Sequence, residues 1–89
     1  TEDLEKAKSL FEKSIQLKRQ LLGSEALEIS DSLENLAVLY QEQKHLEKAE
    51  SLFKESLALK QKLLPEGDLE IAISLDNLAM VYEEQGKTD

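Results

Sequence analysis

The chain repeats itself with a period of 42 residues. Residues 4–45 align with residues 46–87 without insertion, and 23 of the 42 pairs are identical, among them Phe11/Phe53, Leu33/Leu75, Asn35/Asn77 and Tyr40/Tyr82. A fixed period in the range of about 20–50 residues is the signature of a solenoid, in which each unit buries its apolar face on its neighbour. Such scaffolds usually present a surface to a partner and seldom carry a reaction.

Spacing within each copy predicts helices. Leu4, Ala7, Leu10, Phe11, Ser14, Leu17 and Leu21 fall at three- and four-residue steps, and Leu46, Ala49, Leu52, Phe53, Ser56, Leu59 and Leu63 repeat that stripe. Leu27, Ile29, Leu33, Leu36, Ala37, Val38 and Tyr40 mark a second segment, mirrored by Leu69, Ile71, Leu75, Leu78, Ala79, Val81 and Tyr82. Four helices are expected, at about 2–22, 27–43, 46–64 and 69–85. Gly23 follows the first, Pro65 and Gly67 the third, and Gly86 the fourth, as helix stops do. Asp68 is placed to cap the fourth helix and Ser24 the second. Lys44 stands where the other copy has Gly86, so a matching turn puts Lys44 in a left-handed conformation costing about 1 kcal/mol. Short connections without strand alternation predict an all-α fold of antiparallel helices in one domain, residues 1–89.

Composition narrows the function classes. Apolar residues are 40 % and charged residues 34 % of the chain, the balance of an ordered helical protein. At 89 residues only about 60–65 % of the unfolded surface can be buried, which leaves little room for a catalytic pocket. With no cysteine, disulfides and thiolate metal sites are excluded, which fits a reducing, cytoplasmic setting. No apolar run approaches the ~18–20 residues of a membrane span. Because it begins with Thr1, the chain is expected to be part of a longer protein.

Two wordings carry a family resemblance. NLAVLYQEQ (35–43) and NLAMVYEEQ (77–85) resemble the first helix of a tetratricopeptide repeat, and AKSLFEKS (7–14) and AESLFKES (49–56) resemble its second. Ala37, Tyr40, Ala49 and Phe53 match that family's ladder of small and aromatic residues: the alanines allow close helix approach and the rings fill the gaps. Leu33 and Leu75 stand in place of the usual leading Trp, and Ser14 and Ser56 in place of a third small Ala. The period of 42 exceeds the common ~34 and resembles the kinesin light chain-like subgroup. That subgroup's Asp-His-Pro is here SEALEIS and EGDLEIA, and the first of its paired Asn is acidic, Glu34 and Asp76. The resemblance implies helix hairpins in a right-handed solenoid, phased B–A–B–A, with one complete repeat at 27–64 and half repeats on either side. Both ends of such an array expose apolar faces.

Charge divides along the same phase. The net charge is −8, yet residues 1–22 and 46–64 each sum to +1, while residues 23–45 sum to −4 and residues 65–89 to −6. By the resemblance, first-type helices line a concave groove. It then contains Asp31, Glu34, Asn35, Val38, Gln41 and Glu42 from one helix, and Ile73, Asp76, Asn77, Met80, Glu83 and Glu84 from the other. Asn35 and Asn77 are suited to holding a peptide backbone, and equally to bonding between neighbouring repeats. Met80 suits a contact or a gap-filler, and acidic faces are also common for solubility alone. If the carboxylates select, they select Lys or Arg on a protein or peptide partner and repel nucleic acid, for which no basic patch exists.

Reaction chemistry has few candidates. His45, the only histidine, lies in a turn and is Lys87 in the other copy. No Ser–His–Asp set, phosphate-binding glycine loop or metal-ligand cluster is present, so neither an enzyme nor a cofactor is expected. Two readings remain: an interaction scaffold that holds a peptide in the groove, or a self-assembly module whose end helices stack into a dimer, a domain swap or a continued solenoid.

Overall fold

The computed structural model describes residues 2–86. Four helices run α1 (Glu2–Leu22), α2 (Leu27–Glu42), α3 (Leu46–Leu63) and α4 (Leu69–Gln85). Lys87, the counterpart of His45, lies outside the described residues. Each helix packs on the next in chain order, so α3 is covered on two sides, by α2 and by α4. The fold is the all-α hairpin solenoid that the period predicted.

The core follows the stripes. Ile29, Leu33, Leu36 and Ala37 of α2 are buried against Ala49, Leu52 and Phe53 of α3, with Ile15 of α1 and Val81 of α4 completing the cluster. Ala37 and Ala49 are fully buried, which fits close approach of the α2 and α3 backbones. Tyr40 and Phe11 pack against this core while keeping part of their surface in water.

Helix ends follow the turn chemistry with one exception. After α2, the Lys44 amide donates to the Gln41 carbonyl (3.0 Å) and the His45 amide to the Tyr40 carbonyl (2.9 Å), closing a Schellman turn. That turn needs a left-handed residue, and Lys44 takes it at φ 64°, as Gly86 does after α4 at φ 76°. The Asp68 carboxylate caps α4 by accepting from the Glu70 amide at 2.9 Å. The exception is Ser24. The cap position of α2 is Ala26, which has no side-chain bond to offer, because the helix starts two residues later than Ser24 could reach. Among the described residues no helix is long and apolar enough to cross a membrane.

Candidate functional site

The twelve residues proposed for a groove fall on two stripes of their helices, not one. At 3.6 residues per turn, Asp31, Asn35, Val38 and Glu42 share one line along α2, while Glu34 and Gln41 lie about 80° around it. The equivalent lines on α4 hold Ile73, Asn77, Met80 and Glu84, and then Asp76 and Glu83. The two lines have different surroundings.

Glu34 belongs to a buried junction. Its Oε2 accepts from Ser56 Oγ (2.7 Å) and Lys60 Nζ (2.9 Å) on α3, and from Ser74 Oγ (2.7 Å) on α4. Lys60 is 2 % exposed, and both serines are fully buried. Lys60 also reaches Glu70 Oε1 at 3.3 Å, and Ser56 lies 3.4 Å from the Ser30 carbonyl. One carboxylate oxygen thus fastens three helices. Burial pushes the Glu34 carboxyl up, but hydrogen bonds from Ser56, Ser74 and Lys60 outweigh it and hold its pKa below the ordinary value. Burial likewise pulls Lys60 down, and its bonds to Glu34 and Glu70 reverse the effect and raise it. Glu34 was expected to line a groove; its carboxylate is instead committed to the packing of α2, α3 and α4. Gln41, on the same line, reaches across to donate to the Glu84 carboxylate.

Asp76 occupies the Glu34 position of α4 and Glu83 the Gln41 position. Both are exposed on the side of α4 that no described helix covers. They therefore lie off the line that faces along α2 and α4 together.

The other line stays open. Asp31, Asn35 and Glu42 are exposed, Val38 is 41 % exposed and Met80 53 % exposed, and Ile73 resembles Val38. Neither the Asn35 nor the Asn77 side chain has a hydrogen-bond partner among the described residues. Glu84 is the member tied down: Gln41 and Lys44 hold it from the end of α2, Lys44 at 3.2 Å, and these bonds lower its pKa. This link joins the C-terminal ends of α2 and α4 laterally. At the other end, Asp31 borders a depression of about 340 Å³ lined also by Leu27, Glu28, Ser30, Lys60, Leu64 and Glu70. Side chains on the open line offer amide donors and acceptors, two carboxylates clear of any cation, and apolar patches between them. Such a surface can hold an extended chain; it has no paired nucleophile and base.

A junction of this kind was legible in principle. Ser14, Lys18 and Ser32 recur as Ser56, Lys60 and Ser74, three polar residues kept between copies on otherwise apolar faces. Among the described residues no group of three or more His, Cys, Asp or Glu is placed to hold a metal ion.

Comparison with known proteins agrees with this architecture. A search of the curated proteins finds no match to the chain. Among solved structures, BtubC (BKLC) from P. vanneervenii is similar, with a TM-score of 0.88 and 25 % identity, over 96 % of this chain and 34 % of that one. The chain thus spans about a third of the length of BtubC. The family model for the tetratricopeptide repeat matches residues 1–62. With that match over most of its length and the hairpin solenoid on which it lies, the chain belongs to the tetratricopeptide repeat family.

Proposed function

We propose that the chain is a non-catalytic interaction scaffold that holds an extended segment of a partner protein along the open line of α2 and α4. Repeats of this family generally mediate protein–protein interaction. The observation that carries the finer reading is the pair Asn35 and Asn77: equivalent side chains, one period apart, with no partner among the described residues. An amide can donate to and accept from any peptide backbone, so the pair suits recognition that is tolerant of sequence. Val38, Ile73 and Met80 supply apolar contact between the amides. Asp31 and Glu42 add a preference for Lys or Arg, a weaker one than twelve residues on one face would give, because Glu34 is consumed in packing.

The test uses an unstructured Lys/Arg-containing peptide set and a matched Glu-containing set, titrated onto the wild type and Asn35→Ala/Asn77→Ala. Loss of two backbone bonds weakens binding roughly tenfold or more. Equal affinity of the double variant for the basic set would remove this reading.

A second reading, assembly through the outer faces of α1 and α4, is favoured by Leu10, Leu17, Leu21, Leu69 and Leu75, all large, apolar and exposed.

A further inference from the structure

The depression beside Asp31 has the make-up of a side-chain pocket. It holds about 340 Å³ and takes its lining from the N-terminal turns of α2 and α4 and from the end of α3. Three helices build it, so it is an internal feature of the array. Leu27 and Leu64, both partly buried, give it apolar wall. Ser30 and Lys60 line it as buried groups whose bonds are already made. Ser30 Oγ donates to the Leu27 carbonyl at 2.7 Å, and Lys60 Nζ donates to Glu34 at 2.9 Å and to Glu70 at 3.3 Å.

Two lining groups are left to meet a ligand. Glu28 and Asp31 stand three residues apart on one face of α2, and both are exposed. Neither side chain has a partner among the described residues. Glu28 lies in the first turn of α2, where an acid complements the helix dipole. Asp31, a turn further in, has no such use. The other copy shows that packing does not require it: forty-two residues on, Leu27 and Glu28 recur as Leu69 and Glu70, but Ser30 and Asp31 become Ala72 and Ile73. The fold accepts an apolar residue at this position, and α2 carries a carboxylate there.

Resting on the scaffold reading, we propose that this pocket takes an arginine side chain of the bound segment, and that Glu28 and Asp31 select it. The arginine stem lies along Leu27 and Leu64, and the guanidinium donates to both carboxylates. A planar fork of donors spans two acids, which the compact ammonium of lysine does less well. Lys60 does not oppose the incoming charge, because Glu34 and Glu70 neutralise it. Asp31 and Asn35 are four residues apart, about 6 Å along α2, the length of about two extended residues. An arginine in the pocket therefore stands about two residues from the one whose backbone Asn35 holds. It fixes the register of a contact that amides alone leave free to slide.

Fluorescence anisotropy tests this on the full chain, with short labelled peptides in which one arginine is walked along a neutral background. The proteins are the wild type, Glu28→Gln/Asp31→Asn, Glu28→Lys/Asp31→Lys and Asn35→Ala/Asn77→Ala, each checked for helix content by circular dichroism. At one position arginine should tighten wild-type binding roughly tenfold over the arginine-free parent, and lysine there should gain less. Glu28→Gln/Asp31→Asn should lose that gain and keep the affinity for the parent. Glu28→Lys/Asp31→Lys should prefer glutamate at the same position, which a purely structural role would not produce. Asn35→Ala/Asn77→Ala should weaken all the peptides while keeping the gain from arginine. An arginine gain equal at every position, or undiminished in Glu28→Gln/Asp31→Asn, overturns the pocket and leaves the scaffold reading standing. Lysine gaining as much as arginine overturns the choice of arginine. A wild type that binds none of the peptides overturns the scaffold reading and the pocket with it.

Discussion

Phe11 and Phe53 stand at the same place in the repeat, yet Phe53 is buried and Phe11 keeps part of its surface in water. The same contrast separates Leu10 from Leu52, Leu75 from Leu33 and Ala79 from Ala37. Each pair shares residue type, helix position and local sequence, so intrinsic propensity cannot distinguish them. What differs is whether another helix lies on top: α2 sits between α1 and α3, and α3 between α2 and α4, whereas α1 packs mainly on α2 and α4 mainly on α3. In a solenoid, a residue's contribution is set by its neighbours in the array as much as by its own chemistry.

That contrast can be broken or sharpened by substitution in matched pairs. The largest difference is expected for the phenylalanines. Phe53→Ala should destabilise by about 3–5 kcal/mol, and Phe11→Ala by about 1–2 kcal/mol, since less surface is buried there. Chemical denaturation at dilute concentration measures both, and equal losses would deny that α1 is the less covered helix. Leu33→Ala and Leu75→Ala should separate by about 2 kcal/mol in the same direction.

Acid comes next. Because the folded chain holds the Glu34 pKa below its ordinary value of 4.5, the stabilisation is whole above that value. It is lost as pH falls through the lowered, folded one, where the unfolded chain has already taken up the proton. Glu34→Gln should flatten that acid limb of a stability–pH profile, and a variant limb as steep as the wild type's would show that other carboxylates dominate it.

The smallest effect is at the two turns. Lys44→Gly relieves a left-handed lysine and should gain about 0.5–1 kcal/mol, although it gives up the exposed contact to Glu84. Gly86→Ala should lose a similar amount, and since nothing lies within 4 Å of the site, that loss is backbone strain alone. Identical signs for the two changes would contradict the shared turn.

These pairs also mark what could be read from the sequence. Helix positions followed from the 3.6-residue spacing of Leu4 through Leu21 and its repeat, and the Lys44 conformation followed from alignment with Gly86. Both depend on local periodicity and on one backbone requirement. The place of Glu34 did not follow, because a carboxylate about 80° from the Asn35 line is as polar as one on it. Only tertiary packing decides which of the two is buried. The usable signal lay in Ser56 and Lys60, one turn apart on the apolar side of α3, where an unpaired lysine would be expensive. A buried lysine calls for an acid from a neighbouring helix, and Glu34 is the acid that reaches it at 2.9 Å. Ser24 failed as a cap for a plainer reason: α2 begins at Leu27, so position 26 is the cap whatever residue stands there.

Glu34 and Asp76 carry the whole account, for they share one helical position and differ in whether a helix covers it. Paired urea titrations of Glu34→Ala and Asp76→Ala, at concentrations where the chain is monomeric, test it most directly. Removing Glu34 leaves Lys60 buried with only Glu70 to answer it, and should cost about 2–4 kcal/mol. Removing Asp76 should change stability by less than about 0.5 kcal/mol. Comparable losses at the two positions, or a Glu34→Ala chain as stable as the wild type, would contradict the assignment of Glu34 to the junction and reopen its place in the binding face.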